Sequence, residues 1–185
     1  TFTSASRIAA LLAAGFIMSS AHAATFLYVG SSDSQDITVL SLDLKSGALT
    51  PVATTAVPGP AKPGGSLPLA VSPDRKLLFA ALRSEPFTVA TFAIDPKSGK
   101  LTQIRSGPLE GSMGYISIDK TGKFLLAASY PANKVTVSPV GAKGVVGATQ
   151  QTVPTEPNAH AIITDSSNKY VFHTSLGGDV VYQQK

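Results

Sequence analysis

The sequence of 185 residues predicts an all-β fold: a β-propeller of about three and a half four-stranded blades. Three observations carry that expectation. First, one segment recurs. Ser72-Pro73-Asp74-Arg75-Lys76-Leu77-Leu78-Phe79 aligns with Asp119-Lys120-Thr121-Gly122-Lys123-Phe124-Leu125-Leu126 and with Asp165-Ser166-Ser167-Asn168-Lys169-Tyr170-Val171-Phe172. The shared lysines fall at 76, 123 and 169, a period that fits one propeller blade. Second, each copy is a polar turn followed by an apolar, β-prone run. Third, a different turn repeats out of phase with the first, as Asp43-Leu44-Lys45-Ser46-Gly47 and Asp95-Pro96-Lys97-Ser98-Gly99, with glycine where positive φ is needed.

The elements follow in chain order. Residues 1–23 carry a single charge, Arg7, then an apolar run from Ile8 to Met18, then Ala21-His22-Ala23. That small-x-small ending reads as a cleaved secretory signal. The run is about half of the ~20 residues a membrane span needs, so no membrane attachment is expected after cleavage. The location expected is periplasmic or secreted. Residues 24–185 form the second unit, a partial propeller running from blade one into part of blade four. Blade one uses Phe26–Val29 and Ile37–Leu42 and ends through the Asp43 turn. Blade two contains the first copy of the repeated segment and the Asp95 turn. Blade three contains the second copy and a degenerate turn near Lys143-Gly144. Blade four uses Ala161–Ile163, Tyr170–Phe172 and Asp179–Tyr182. Pro58–Pro68 reads as a long link between blades. A propeller closes with about four to eight blades, so this stretch is expected to be part of a longer ring.

Composition narrows the function classes. Hydrophobic content of 43% with 14% charged residues excludes a disordered polyampholyte. The net charge of +4 is spread along turns rather than clustered, so no nucleic-acid partner is expected. With no cysteine there is neither a disulfide nor a thiolate metal site, and the three histidines lack metal-ligand spacing. Asp33 and Asp36 read as turn chemistry. No phosphate loop, dinucleotide fingerprint or serine nucleophile elbow occurs, so no cofactor and no metal are expected.

Propeller geometry says which residues can meet. With the strands of a blade named A to D outward from the axis, A–B and C–D turns lie on one face. The B–C turns and the links from D to the next A lie on the other. Both repeated turns fall on the first face and look like scaffolding. The second face is irregular, and ligands gather at such loops near the axis. There the sequence places Arg83 after strand B of blade two, Tyr130 in the equivalent place in blade three, and Ser175 in the equivalent place in blade four. Glu156 and Asn158 lead into His160 at the entry to strand A of blade four. Imidazole titrates near neutrality and can act as general base on water. A guanidinium binds a carboxylate or phosphate, or stabilises an oxyanion. His160 and Arg83 are therefore the candidate catalytic pair, with Tyr130, Asn158, Glu156 and Ser175 as candidate substrate contacts. The blander readings are a hydrogen-bonded strand-entry histidine, an Arg83–Glu85 ion pair and turn packing by Tyr130 before Pro131. His173, in mid-strand, reads as packing.

The Val71–Phe79 blade signature, the Ser129-Tyr130 to Val135-Thr136-Val137 segment and Pro157-Asn158-Ala159-His160 together resemble the β-propeller lactonase family of the 6-phosphogluconolactonase type. The resemblance covers about residues 25–185 and implies the first half of a seven-bladed ring. It also implies a small-molecule lactone or other anionic ligand, an active-site histidine at His160 and a site arginine at Arg83. Acidic and arginine residues from later blades would complete the pocket, so the stretch alone is expected to be inactive. An exported relative would meet a lactone other than a cytosolic sugar phosphate. Many members read Pro-His-x-His and Asp-Leu-Gly where this chain has Asn158 and Ser175-Leu176-Gly177. Those departures keep a second reading open: a non-catalytic periplasmic propeller that binds a protein or small ligand.

Overall fold

The structure, a computed structural model, describes residues 24–60 and 64–185. The expected secretory signal, residues 1–23, lies outside the described residues. The chain forms strands β1 (Thr25–Ser31), β2 (Asp36–Leu42), β3 (Leu49–Ala56), β4 (Leu69–Val71), β5 (Leu77–Leu82), β6 (Thr88–Ile94), β7 (Leu101–Pro108), β8 (Tyr115–Ile118), β9 (Phe124–Ser129), β10 (Lys134–Pro139), β11 (Gln151–Pro154), β12 (Ala159–Thr164), β13 (Val171–Ser175) and β14 (Val180–Gln184). They pair into four antiparallel sheets, β1–β3, β4–β7, β8–β11 and β12–β14, each in simple sequence order. Two complete blades lie between two three-stranded ones, as the repeat implied. The degenerate turn near Lys143 is a 3-10 turn, Ala142–Gly144.

The sheets stack face to face, and their sequences show why. β5 reads Leu77-Leu78-Phe79-Ala80-Ala81-Leu82, an unbroken apolar run, because both of its faces are covered. Leu78, Ala80 and Leu82 join Phe92, Ile37 and Val39 in a core between the first two sheets. Phe79 and Ala81 turn the other way, to Ile116, Leu125 and Ala127 of the third sheet. A third core, with Leu126, Val135, Ala159 and Ile162, joins sheets three and four. β4 packs on β8 and β8 on β12, so the A strands of blades two, three and four neighbour one another. This is radial packing about one axis.

Turn chemistry fixes the rest. Asp43 Oδ1 accepts the N–H groups of Lys45 at 2.8 Å and Ser46 at 3.2 Å, and Asp95 repeats this with Lys97 and Ser98. Gly47 and Gly99 follow at φ 73° and 69°. In the other repeated turn, Asp165 Oδ1 accepts from Lys169 and Tyr170 at 3.0 Å, and Asp119 Oδ1 from Lys123 and Phe124. The Ser167 hydroxyl, with the Tyr170 amide next, lowers the Asp165 pKa to about 2. Ser72 takes the aspartate position in blade two, its Oγ accepting from Leu77 at 2.9 Å. Neighbouring blades are also tied here: Asn168 Nδ2 donates to Asp119 Oδ2, and the Lys120 amide donates to Asn168 Oδ1.

His173 does pack. Its ring stacks on Tyr182 with centroids 4.5 Å apart, and it is 1% exposed. Neither ring nitrogen has a partner among the described residues. Burial holds its pKa below the ordinary value. An unfolded chain therefore protonates His173 at a higher pH than the folded one does. This destabilisation is absent above the unfolded pKa, grows as pH falls below about 6.5, and levels off below the folded pKa. Stability is expected to fall as the pH drops from 7.5 to about 5.5 through this one group. Urea midpoints across that range should drop for the native chain and stay level for His173→Phe. Equal drops in both would clear His173 of the effect.

Candidate functional site

Arg83 follows β5 directly, so a strand buried on both faces fixes its Cα. The link between blades one and two runs across it. A Cβ on Gly64 would lie 2.6 Å from Arg83 Cβ, so that close approach requires glycine. The guanidinium then reaches two hydroxyls: Nη1 donates to Ser66 Oγ at 2.8 Å and Nε to Ser112 Oγ at 3.1 Å. The Ser112 carbonyl accepts from the buried Ser129 Oγ at 2.9 Å, at the end of β9. Tyr130 comes next. Its ring meets the His160 ring edge-on, with centroids 5.9 Å apart and planes at 81°.

His160 owes its position to a bulge. In β12, Ala159 pairs with Ser175 and Ala161 with Thr174, which leaves His160 as the extra residue. Thr174 Oγ1 accepts the Ala161 amide at 3.2 Å and patches the ladder. A bulge of this kind redirects one side chain at the end of a sheet. Arg83, Tyr130 and His160 consequently line one cleft of about 300 Å³, with Ser66, Gly114 and Ala159. No Arg83–Glu85 ion pair forms; the ion pairs among the described residues are Lys76–Asp74 and Lys134–Glu110.

The other three expected residues gather beside this cleft. The buried Ser175 hydroxyl donates to the carbonyls of Glu156 and Pro157. The Glu156 amide donates to Tyr182 Oη at 3.1 Å, while its carboxylate is exposed. Asn158 sits at φ 66°, its amide bound to Asn133 Oδ1 and its carbonyl accepting from Leu176. Together they stitch the link before His160 to the turn after β13. Ser175 also borders a second depression with His160, Thr174 and Asp179. Ser66 and Ser112 were not singled out from the sequence. A signal existed: they lie 46 residues apart, each in a Gly-Ser pair ahead of a strand A, matching the repeat.

Among the described residues, no cluster of histidine and carboxylates could hold a metal ion. Chemically, the cleft pairs an exposed imidazole with a fixed guanidinium. The imidazole can accept a proton from water while the guanidinium holds an anionic group.

Comparison with known proteins finds relatives of the chain and of its fold. The sequence model described as "Lactonase, 7-bladed beta-propeller" matches residues 26–185. A 6-phosphogluconolactonase of Yersinia pestis is 36% identical over 155 residues, covering 84% of this chain and 44% of that protein. One from Pectobacterium carotovorum is 35% identical over 153 residues, covering 83% and 44%. This chain thus spans a little under half the length of the curated relatives it matches. The solved periplasmic gluconolactonase of Pseudomonas aeruginosa shares the fold at a TM-score of 0.71 and 22% identity, covering 87% of this chain and 49% of that one.

Proposed function

Because this chain belongs to the seven-bladed β-propeller lactonase family, we propose that the protein containing it opens a sugar or related lactone by water attack. The observation that carries this reading is the shared cleft of Arg83, Tyr130 and His160. His160 acts as general base on the attacking water. Arg83 holds the anionic group of the substrate and Tyr130 forms a wall of the pocket. The exposed Glu156 and the neighbouring Asn158 are the contacts for ring hydroxyls, while Ser175 shapes the loop that carries them. The protein acts after export, on the strength of the signal-like residues 1–23 and of a periplasmic gluconolactonase among its structural neighbours. Residues 24–185 by themselves are inactive, because loops from the remaining blades complete the pocket.

One observation favours the second reading, a propeller that binds an anionic ligand without turning it over. No side chain among the described residues hydrogen-bonds the His160 ring to set its tautomer, as a base usually requires. The deciding test is a hydrolysis screen of the full-length protein against sugar and aliphatic lactones, followed as acid release. Turnover clearly above the uncatalysed rate for at least one lactone, and none from residues 24–185, is expected. Lactone binding with no turnover by the full-length protein would sink the lactonase reading and leave the binding one.

A further inference from the structure

We propose that Ser66 and Ser112 are positioning residues that make Arg83 an anion-selective subsite. This rests on the reading above only in placing a ligand in the cleft. A guanidinium carries five N–H donors. Two of Arg83's go to the Ser66 and Ser112 hydroxyls, and the rest have no protein partner among the described residues. The choice of partner matters. The lysine pairs at Lys76–Asp74 and Lys134–Glu110 are neutralised by carboxylates. Arg83 is instead gripped by two uncharged hydroxyls, which fix its plane and leave its full charge for a ligand. Glu85, two residues away, forms no pair with it.

The grip also has two sources. Ser66 comes from the link between blades one and two, and Ser112 from the link between blades two and three. Arg83 stands between them on blade two. Each serine is tied to its own framework: Leu67, beside Ser66, is buried in the first inter-blade core, and the Ser112 carbonyl is bound by Ser129. The guanidinium is therefore held by side-chain hydroxyls from two links it does not belong to. Its remaining donors share a cleft with Tyr130 and His160. A planar fork of donors of this kind matches two oxygens of one carboxylate or phosphate. The ligand class is an anion that carries its charge beside the group presented to His160.

The test uses the full-length protein and the variants Ser66→Ala, Ser112→Ala, the double alanine variant and the double Ser→Thr variant. Binding of D-gluconate and of inorganic phosphate is measured by titration calorimetry, and the kcat/KM ratio of an anionic over a neutral lactone is measured where turnover exists. The double alanine variant is expected to bind the preferred anion about 10-fold more weakly, roughly 1.4 kcal/mol. Its preference for the anionic lactone should fall by a similar factor. The threonine variant, which keeps both hydroxyls, should recover most of the loss. Gluconate and phosphate distinguish a carboxylate subsite from a phosphate subsite. A uniform loss for anionic and neutral lactones, or tight anion binding in the double alanine variant, overturns the proposal. So does native protein that binds neither anion. Anion binding without lactone turnover would sink the lactonase reading and leave the subsite standing.

Discussion

Alanine in place of His160 is expected to lower lactone hydrolysis by the full-length protein about 100-fold or more, the usual contribution of a general base. The substitution isolates chemistry from folding. His160 is exposed, and the bulge that presents it is held by Ala159 opposite Ser175 and by the Ala161 amide on Thr174. None of those contacts uses the imidazole. The urea midpoint should therefore move little, by about 0.5 kcal/mol or less in stability. KM should change less than kcat, since Arg83 with its serine partners stays in place. Full turnover in His160→Ala would remove the imidazole from the reaction and leave Arg83 as the site's only chemically active group among the three.

The largest effect on stability is expected from Phe92→Ala, about 3–5 kcal/mol. Phe92 is completely buried and lies in β6 opposite Leu78. Its ring fills the space between the first and second sheets, with Ile37, Val39 and Leu101. Removing it leaves a cavity between two sheets whose own hydrogen bonds resist collapse. Phe124 is the control: it is 38% exposed, and its truncation should cost far less. Chemical denaturation of residues 24–185 measures both. A loss below about 1 kcal/mol at Phe92 would mean that these sheets are not packed through that ring.

The architecture was legible because the repeat and its turn chemistry say the same thing. Asp43, Asp95, Asp119 and Asp165 each accept backbone amides in the turns where the sequence placed them, and Gly47 and Gly99 have the positive φ expected of them. Arg83 and Tyr130 were readable as equivalent ends of successive B strands, and they do line one cleft with His160. The bulge at His160 was not readable. It depends on a register shift against β13, which no local pattern records. Ser66 and Ser112 were missed because serine in a loop is commonplace; only their repeat-length spacing marks them. The inward hydroxyl of Ser175 was available from alternation in β13, where His173 and Ser175 share the buried face.

The Asn168 bridge to Asp119 and Lys120 joins blades three and four at the turns of strand A, at the opposite end of those strands from the cleft. Blades three and four are thereby fastened at the end away from the cleft as well as at the cleft side, where the Asn158 amide donates to Asn133 Oδ1. The links that carry Ser66 and Ser112 take no part in that bridge, so changes there leave this fastening of blades three and four intact.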